Sequence, residues 1–484
     1  MKDCGVLCHI TSLVSKYGVG DFGKSSRDFI DFLSENNIKY WQILPLTETN
    51  DKNCPYGSMS YFAFDTMFVD IDNLVDLGLV SLDEIIKIET CDTEGKVNYL
   101  RVKKTKLELL EKAYSNITDE LLNKVYAFGE QNPHFFDYAY YKVLLEKNNT
   151  KDYRQTSVNL WLKGGKEYIK FAKENREDIT KYVFWQYLLY QQWQSVRRYA
   201  KDKGVKIIGD MPIYPEPTSF DVFSYPECFL LNKERNPIVL GGVPADEFCD
   251  TTQNWGNCVY DWDYLQKTNY SFLINKIKTL LDYYDILRLD HFLGYVEHYE
   301  IDACTNIGKW RLGGGNDFFQ ELASHIDLGH IVVEDLGTRK VSAEKVKKDF
   351  SLKGMSVLQM ATNNMHYLPQ NVGNNDIYYL GTHDNDTFIG YLSSLDKSAR
   401  QEFLNLINLE DGNNEAILVK CVNKMLNSEC KLIVLQIQDI LMQGSNSRMN
   451  IPGQAKGCWE YKLPLDYKEN FRKNILKFNG YKKE

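Results

Sequence analysis

The chain has 484 residues, 43% of them hydrophobic and 25% charged, the balance of a folded globular protein. Its formal net charge of −9 excludes a partner held through a dense phosphate backbone, so nucleic acid is set aside. No apolar run reaches the ~18 residues of a membrane span. Eleven scattered cysteines without a C-x-x-C pair exclude a disulfide framework or structural zinc site. Reduced thiols, and a start at Met1 that runs at once into a strand-like segment, lead to the expectation of a soluble cytoplasmic protein.

In chain order, eight short apolar runs read as buried strands: Gly5 to Ile10, Lys39 to Leu46, Val205 to Asp210, Tyr284 to Asp290, His330 to Glu334, Met355 to Met360, Ile377 to Leu380 and Lys431 to Gln436. Their near-continuous apolar character, rather than alternation, suits a parallel sheet covered on both faces. Helical patterns fall between them, at Ser26 to Glu35 and at the long aromatic stretch Tyr182 to Tyr199. Asn316 and Ser342 read as N-caps of two more. Eight strands alternating with helices predict a (β/α)8 barrel with its site at the C-terminal strand ends.

A plain barrel needs about 250 residues, so the surplus predicts insertions into a single domain spanning 1–484. The longer follows the second strand, roughly 47–180, and includes a charged helical stretch at Lys103 to Lys124. The other follows the third strand, roughly 215–262.

Charge at the end of a buried strand is costly unless it is paired or in use. Four of the runs nonetheless deliver acids at the barrel's active face: Asp210, Asp290 after Arg288, Glu334, and Asp384 after His383. Any one alone reads as a rim ion pair, and His383 alone as a hydrogen-bonded rim residue. Together they suggest acid-assisted cleavage of a bond between sugars. Retaining chemistry needs two carboxyl groups about 5–5.5 Å apart, and neighbouring strands lie about 4.8 Å apart, so Asp290 and Glu334 could meet across one sugar. Arg288 shares the face of Asp290 and would keep it ionised. Glu334, crowded by Asp290 and Asp384, should hold its proton as a general acid does. The glycines of Leu312-Gly313-Gly314-Gly315 lack the strand-then-helix context of a dinucleotide site, and no phosphate-loop or zinc-protease motif occurs.

The chain resembles 4-alpha-glucanotransferases of the amylomaltase type, glycoside hydrolase family 77. The resemblance rests on GVLCHITSL, YGVGDFG, YWQILPL, CPYGSMS, GDMPIY, GGVPADEF, NWGNCVYDW, RLDHFLGY, EDLG, GMSVLQ, GTHDNDT and QDIL…SRMNIPG, spread almost end to end. It implies that Asp290 is the nucleophile, Glu334 the acid/base and Asp384 the transition-state stabiliser. Arg288, Asp210 and His383 would line the donor subsite, Tyr56 would stack on the donor sugar, and Trp255 and Asn257 would lie near the cleft. The implied reaction moves an α-1,4-glucan segment from a maltodextrin to the 4-hydroxyl of glucose or another maltodextrin, with no metal or organic cofactor. The alternatives are an α-glucan hydrolase using the same acids and a non-catalytic glucan-binding protein.

The chain also departs from the family. In the expected lid, Gly241 to Phe248, Ala245 replaces a proline and Glu247 an aromatic residue. After Tyr214 it reads Pro215-Glu216-Pro217-Thr218 in place of V-A-H-D, and Cys54 and Gly57 flank Pro55-Tyr56 where Ser and Gln are common. Gln370 replaces a usual histidine.

Overall fold

The computed structural model describes residues 2–86, 95–245, 251–337, 341–454 and 456–478. Among them run twelve strands: β1 (Asp3–Leu7), β2 (Tyr40–Gln42), β3 (Lys206–Met211), β4 (Val239–Val243), β5 (Gln253–Cys258), β6 (Ile286–Leu289), β7 (Glu297–Asp302), β8 (Gly308–Leu312), β9 (Ile331–Val333), β10 (Gly354–Val357), β11 (Asp376–Tyr379) and β12 (Leu432–Gln436). The eight apolar runs each supply one strand of a single parallel sheet, in the order β10-β11-β12-β1-β2-β3-β6-β9. β9, β10 and β11 are buried at every residue, which is why their sequences show no alternation.

The sheet is a barrel, and its seam lies between β9 and β10. There a bridge joins Val332 to Lys353, and the Val333 N–H donates to the Lys353 carbonyl at 2.8 Å. Side chains strengthen the joint. The Met355 N–H donates to Asp335 Oδ1 at 2.8 Å, and Lys347 Nζ ties Asp335 (2.6 Å) to Asp376 (2.9 Å). Inside the wall, Gly209 on β3 leaves room for the ring of Tyr284, which a Cβ there would meet at 2.1 Å.

The segment between β2 and β3 carries helices Tyr99–Ser115, Asp119–Gln131 and Pro133–Lys147. The charged stretch Lys103 to Lys124 is thus two helices, broken where Thr118 caps the second by accepting from the Leu121 N–H. The 27-residue helix Arg176–Asp202 returns the chain to the barrel, and its Tyr199 hydroxyl bonds Asp31 of helix Lys24–Glu35 at 2.8 Å.

The segment after β3 supplies β4 and β5. A further excursion after β6, the hairpin β7–β8, completes an antiparallel sheet in the order β5-β4-β7-β8. No apolar run marks this hairpin, because β7 mixes half-buried Glu297, Tyr299 and Asp302 with buried His298, Glu300 and Ile301. Both expected N-caps differ as well. Asn316 lies inside helix Gly315–His325, where its amide reaches Asp349 at 3.2 Å. Ser342 lies inside helix Val341–Asp349 and donates to Glu297.

Candidate active site

Adjacent strands β3, β6 and β9 place the first three acids. Asp210 stands opposite Arg288 in the register of β3 and β6. Asp290 and Glu334 each follow the last residues of β6 and β9, Leu289 and Val333, which are themselves in register. The Glu334 N–H donates to the Leu289 carbonyl at 3.0 Å, and the Phe292 N–H to the Glu334 carbonyl at 2.9 Å, so the two strand ends are stitched together. Asp384 comes from the loop after β11.

Immediately after Asp290 the backbone turns sharply. His291 has φ 48°, a left-handed conformation that a side chain disfavours. This turn aims the His291 N–H at Glu334, whose Oε2 accepts it at 2.8 Å. Gly294 makes the turn possible, since a Cβ there would meet Ile213 at 2.4 Å and the His291 ring at 2.9 Å. Burial holds the His291 imidazole at about 4, so the ring is neutral at pH 7.

Arg288 is 3% exposed, and its Nη1 lies 2.8 and 2.9 Å from the two oxygens of Asp210 and 2.9 Å from Asp290 Oδ1. Tyr56 donates to Asp210 Oδ2 at 2.6 Å, and its ring stacks on His383 with centroids 5.2 Å apart and planes 14° apart. His383 Nε2 lies 3.3 Å from Asp384 Oδ2. Asp384 Oδ1 accepts from the Asn450 amide at 2.6 Å, and the Asp384 carbonyl accepts from Arg448 at 2.7 Å.

These contacts separate the three acids electrostatically. Burial would raise Asp384, but His383, Asn450 and Arg288 outweigh it and hold the carboxyl well below the usual carboxylate range. Burial pushes Asp290 up to about 6 against the opposing pull of Arg288. Burial also pushes Glu334 well above its ordinary value; Arg288 opposes this, and the charges of Asp290 and Asp384 add to it. Crowding by the aspartates therefore acts in the expected direction, with desolvation the larger cause. Asp290 has the direct Arg288 contact, so in this coupled pair the proton resides on Glu334.

A cavity of about 380 Å³ opens over these groups, lined by Tyr56, Arg288, Asp290, Glu334 and Asp384, and on its β5 side by Trp255 and Asn257. Trp255 meets the His291 ring edge-on at 4.9 Å, and the buried Asn257 amide nitrogen has no hydrogen-bond partner among the described residues. Asp210 and His383, which the sequence reading puts in the donor subsite, do not line this cavity. Both are 1% exposed and lie one layer beneath it, because Arg288 and Tyr56 cover Asp210 and Tyr56 covers His383. Glu247 lies outside the described residues, although Val243 before it and Gln253 after it both line the cavity. Asn50 also faces it and gave no signal in the sequence, as an amide in a polar loop carries no periodicity, while Asn450 lies within the SRMNIPG motif and lines the cavity as well. Among the described residues no group of three or more His, Cys, Asp or Glu side chains is arranged to hold a metal ion. No helix among them is long and apolar enough to cross a membrane.

Residues 8–466 match the family model described as 4-alpha-glucanotransferase. The chain belongs to that family. It is a glycosyltransferase acting on α-1,4-glucans. The 4-alpha-glucanotransferase of Clostridium butyricum is 35% identical over 466 residues, covering 94% of this chain and 95% of the relative. That of Aquifex aeolicus is 32% identical over 99% of both chains. The solved structure of amylomaltase from Streptococcus agalactiae in complex with acarbose superposes with a TM-score of 0.92 at 30% identity over the full length of both chains. The barrel and its acids are thus set in a family fold, and the additional sheet around Trp255 is part of the length shared with that structure.

Proposed function

We propose that this 4-alpha-glucanotransferase works by double displacement with retention, disproportionating maltodextrins in the cytoplasm as a single catalytic domain. Asp290 attacks the anomeric carbon of an α-1,4-glucan while Glu334 protonates the departing oxygen. Glu334 then takes the proton from the 4-hydroxyl of an incoming glucose or maltodextrin, and Asp384 stabilises the oxocarbenium-like transition state. Arg288 keeps Asp290 ionised, with Asp210 and His383 supporting from below, Tyr56 stacking on the donor sugar, and Trp255 and Asn257 contacting glucan across the cleft. Glu247 belongs to the lid. The cytoplasmic assignment rests on the nine described cysteines, all of which are free thiols.

The observation that carries this reading is the hydrogen bond from the His291 N–H to Glu334, which fixes the acid beside the nucleophile's own backbone. Retention is the outcome expected of carboxyls about 5–5.5 Å apart, a spacing that acids on neighbouring strands about 4.8 Å apart can supply. Transfer must outcompete water at a concentration of roughly 55 M, which requires a held acceptor and a closed cleft.

Incubation with maltotriose tests the proposal. Glucose and a ladder of longer oligomers should form with little net gain in reducing ends. Reducing ends rising in step with substrate loss would make the chain a hydrolase, and binding without turnover would make it a glucan-binding protein.

A further inference from the structure

Glu216 lies in the same cavity and has no contact with Asp290, Glu334 or Asp384. Its position is unusually fixed for a surface-loop glutamate. Pro215 and Pro217 restrict the backbone on both sides. The Glu216 N–H donates to the Ser58 carbonyl at 3.1 Å, the Pro215 carbonyl accepts from the Cys258 N–H at 3.1 Å, and the Glu216 carbonyl accepts from the Ser219 N–H at 3.0 Å. The loop after β2 and the end of β5 therefore both hold the Pro215-Glu216 segment that follows β3.

The side chain is fixed too. Asn50 Nδ2 donates to Glu216 Oε1 at 2.7 Å, while Asn50 Oδ1 accepts from the Lys52 N–H at 3.0 Å, so the amide has one orientation. Gly57 leaves room for it, because a Cβ there would lie 2.2 Å from the Asn50 nitrogen. Among the described residues Glu216 Oε2 has no hydrogen-bond partner. A carboxylate with one oxygen anchored and the other free, on the wall of a glucan cavity, is a preorganised acceptor for sugar hydroxyls. The residue lies in the Pro-Glu-Pro-Thr segment that follows β3.

We propose that Glu216, anchored by Asn50, is a substrate-binding residue that accepts hydrogen bonds from glucan hydroxyls at a subsite removed from the bond being broken. The inference rests on the glucan-transfer reading above and adds a specificity determinant to it. Glu216 lies partly buried, and burial raises its carboxyl, opposed by the Asn50 bond and the Lys52 charge, so the exchange of acceptor for protonated donor at this wall occurs at a higher pH than for an ordinary glutamate.

The test compares wild type, Glu216→Ala and Glu216→Gln for KM and kcat on maltotriose, and measures maltotriose binding by calorimetry in the Asp290→Asn background, with and without Glu216→Ala. Loss of a hydrogen bond to a charged group should raise KM and weaken binding by about tenfold, with kcat changed less than KM. Glu216→Gln keeps an oxygen for Asn50 and turns a donor to the cavity, so its melting temperature should match wild type while KM still rises. Wild-type KM in Glu216→Gln would reduce Glu216 to a loop tie and overturn the proposal, as would a fall in kcat at constant KM in Glu216→Ala. The calorimetric arm does not depend on turnover: a wild type that makes no ladder but loses affinity on Glu216→Ala would overturn the transfer reading and leave this one standing.

Discussion

Arg288 and Asp290, two residues apart at the end of one strand, meet at 2.9 Å through the same guanidinium nitrogen that holds Asp210. Strand geometry puts positions i and i+2 on one face, so the pair needs no loop to form it. The counter-ion of the proposed nucleophile is built into the barrel wall.

Removing that counter-ion should damage both activity and stability. Arg288→Ala leaves Asp210, fully buried, with an uncompensated charge, a situation that costs about 3–5 kcal/mol. Urea unfolding should show a loss of that size, and kcat should fall sharply because Asp290 would hold its proton to higher pH. Wild-type stability in this variant would show that the fold does not depend on the Arg288–Asp210 contact.

Asp290→Asn should lower kcat on maltotriose by a factor on the order of 10⁴ or more, while calorimetry still shows maltodextrin binding. Activity near that of wild type would remove Asp290 from the nucleophile's role.

Glu334 can be separated from Asp290 by the leaving group. A maltosyl fluoride needs no acid to depart, so Glu334→Ala should still release fluoride in a first turnover, and added azide should capture the glycosyl group as the α-azide. Asp290→Asn should release none. A β-azide would signal inversion and refute the double displacement.

The pH profile follows from the two groups. Asp290 must be ionised, and it is pushed up to about 6, so kcat/KM should fall below about pH 6 as the nucleophile gains a proton. Glu334 must be protonated and is raised, so the alkaline limb should lie above the ordinary glutamate range by a wide margin. A profile flat down to pH 4 would contradict the burial of Asp290.

The seam offers a stability test. Burial would raise Asp376, but His366, Lys347 and Ser356 hold it well below the usual carboxylate range. A carboxyl depressed in the folded state contributes stability that is present above its unfolded pKa of about 3.9 and is lost as pH falls towards the folded value. Lys347→Met should therefore cost about 2–4 kcal/mol at pH 7, and progressively less below about pH 4. A penalty independent of pH would mean that the loss is one of packing alone.

The barrel was legible because its strands are buried on both faces and read as apolar runs, and the acids because charge at the end of such a run is conspicuous. The β7–β8 hairpin was not, since Glu297–Asp302 and Gly308–Leu312 are half solvated and mix polar with apolar residues. Depth within the site was equally hidden. Asp210 and Asp290 look alike as strand-end acids, yet one is fully buried beneath Arg288 and the other retains 22% of its side-chain exposure. Only the three-dimensional position of Tyr56, brought in from a loop 154 residues away, decides which of them lines the cavity.

The left-handed turn at His291 has an engineering consequence. The backbone following the proposed nucleophile, Asp290, is itself the donor that seats Glu334, and a barrel-wall arginine holds Asp290, so neither carboxyl depends on the rim loops for its place. Rim segments such as residues 215–218 can therefore diverge without disturbing the seating of either acid.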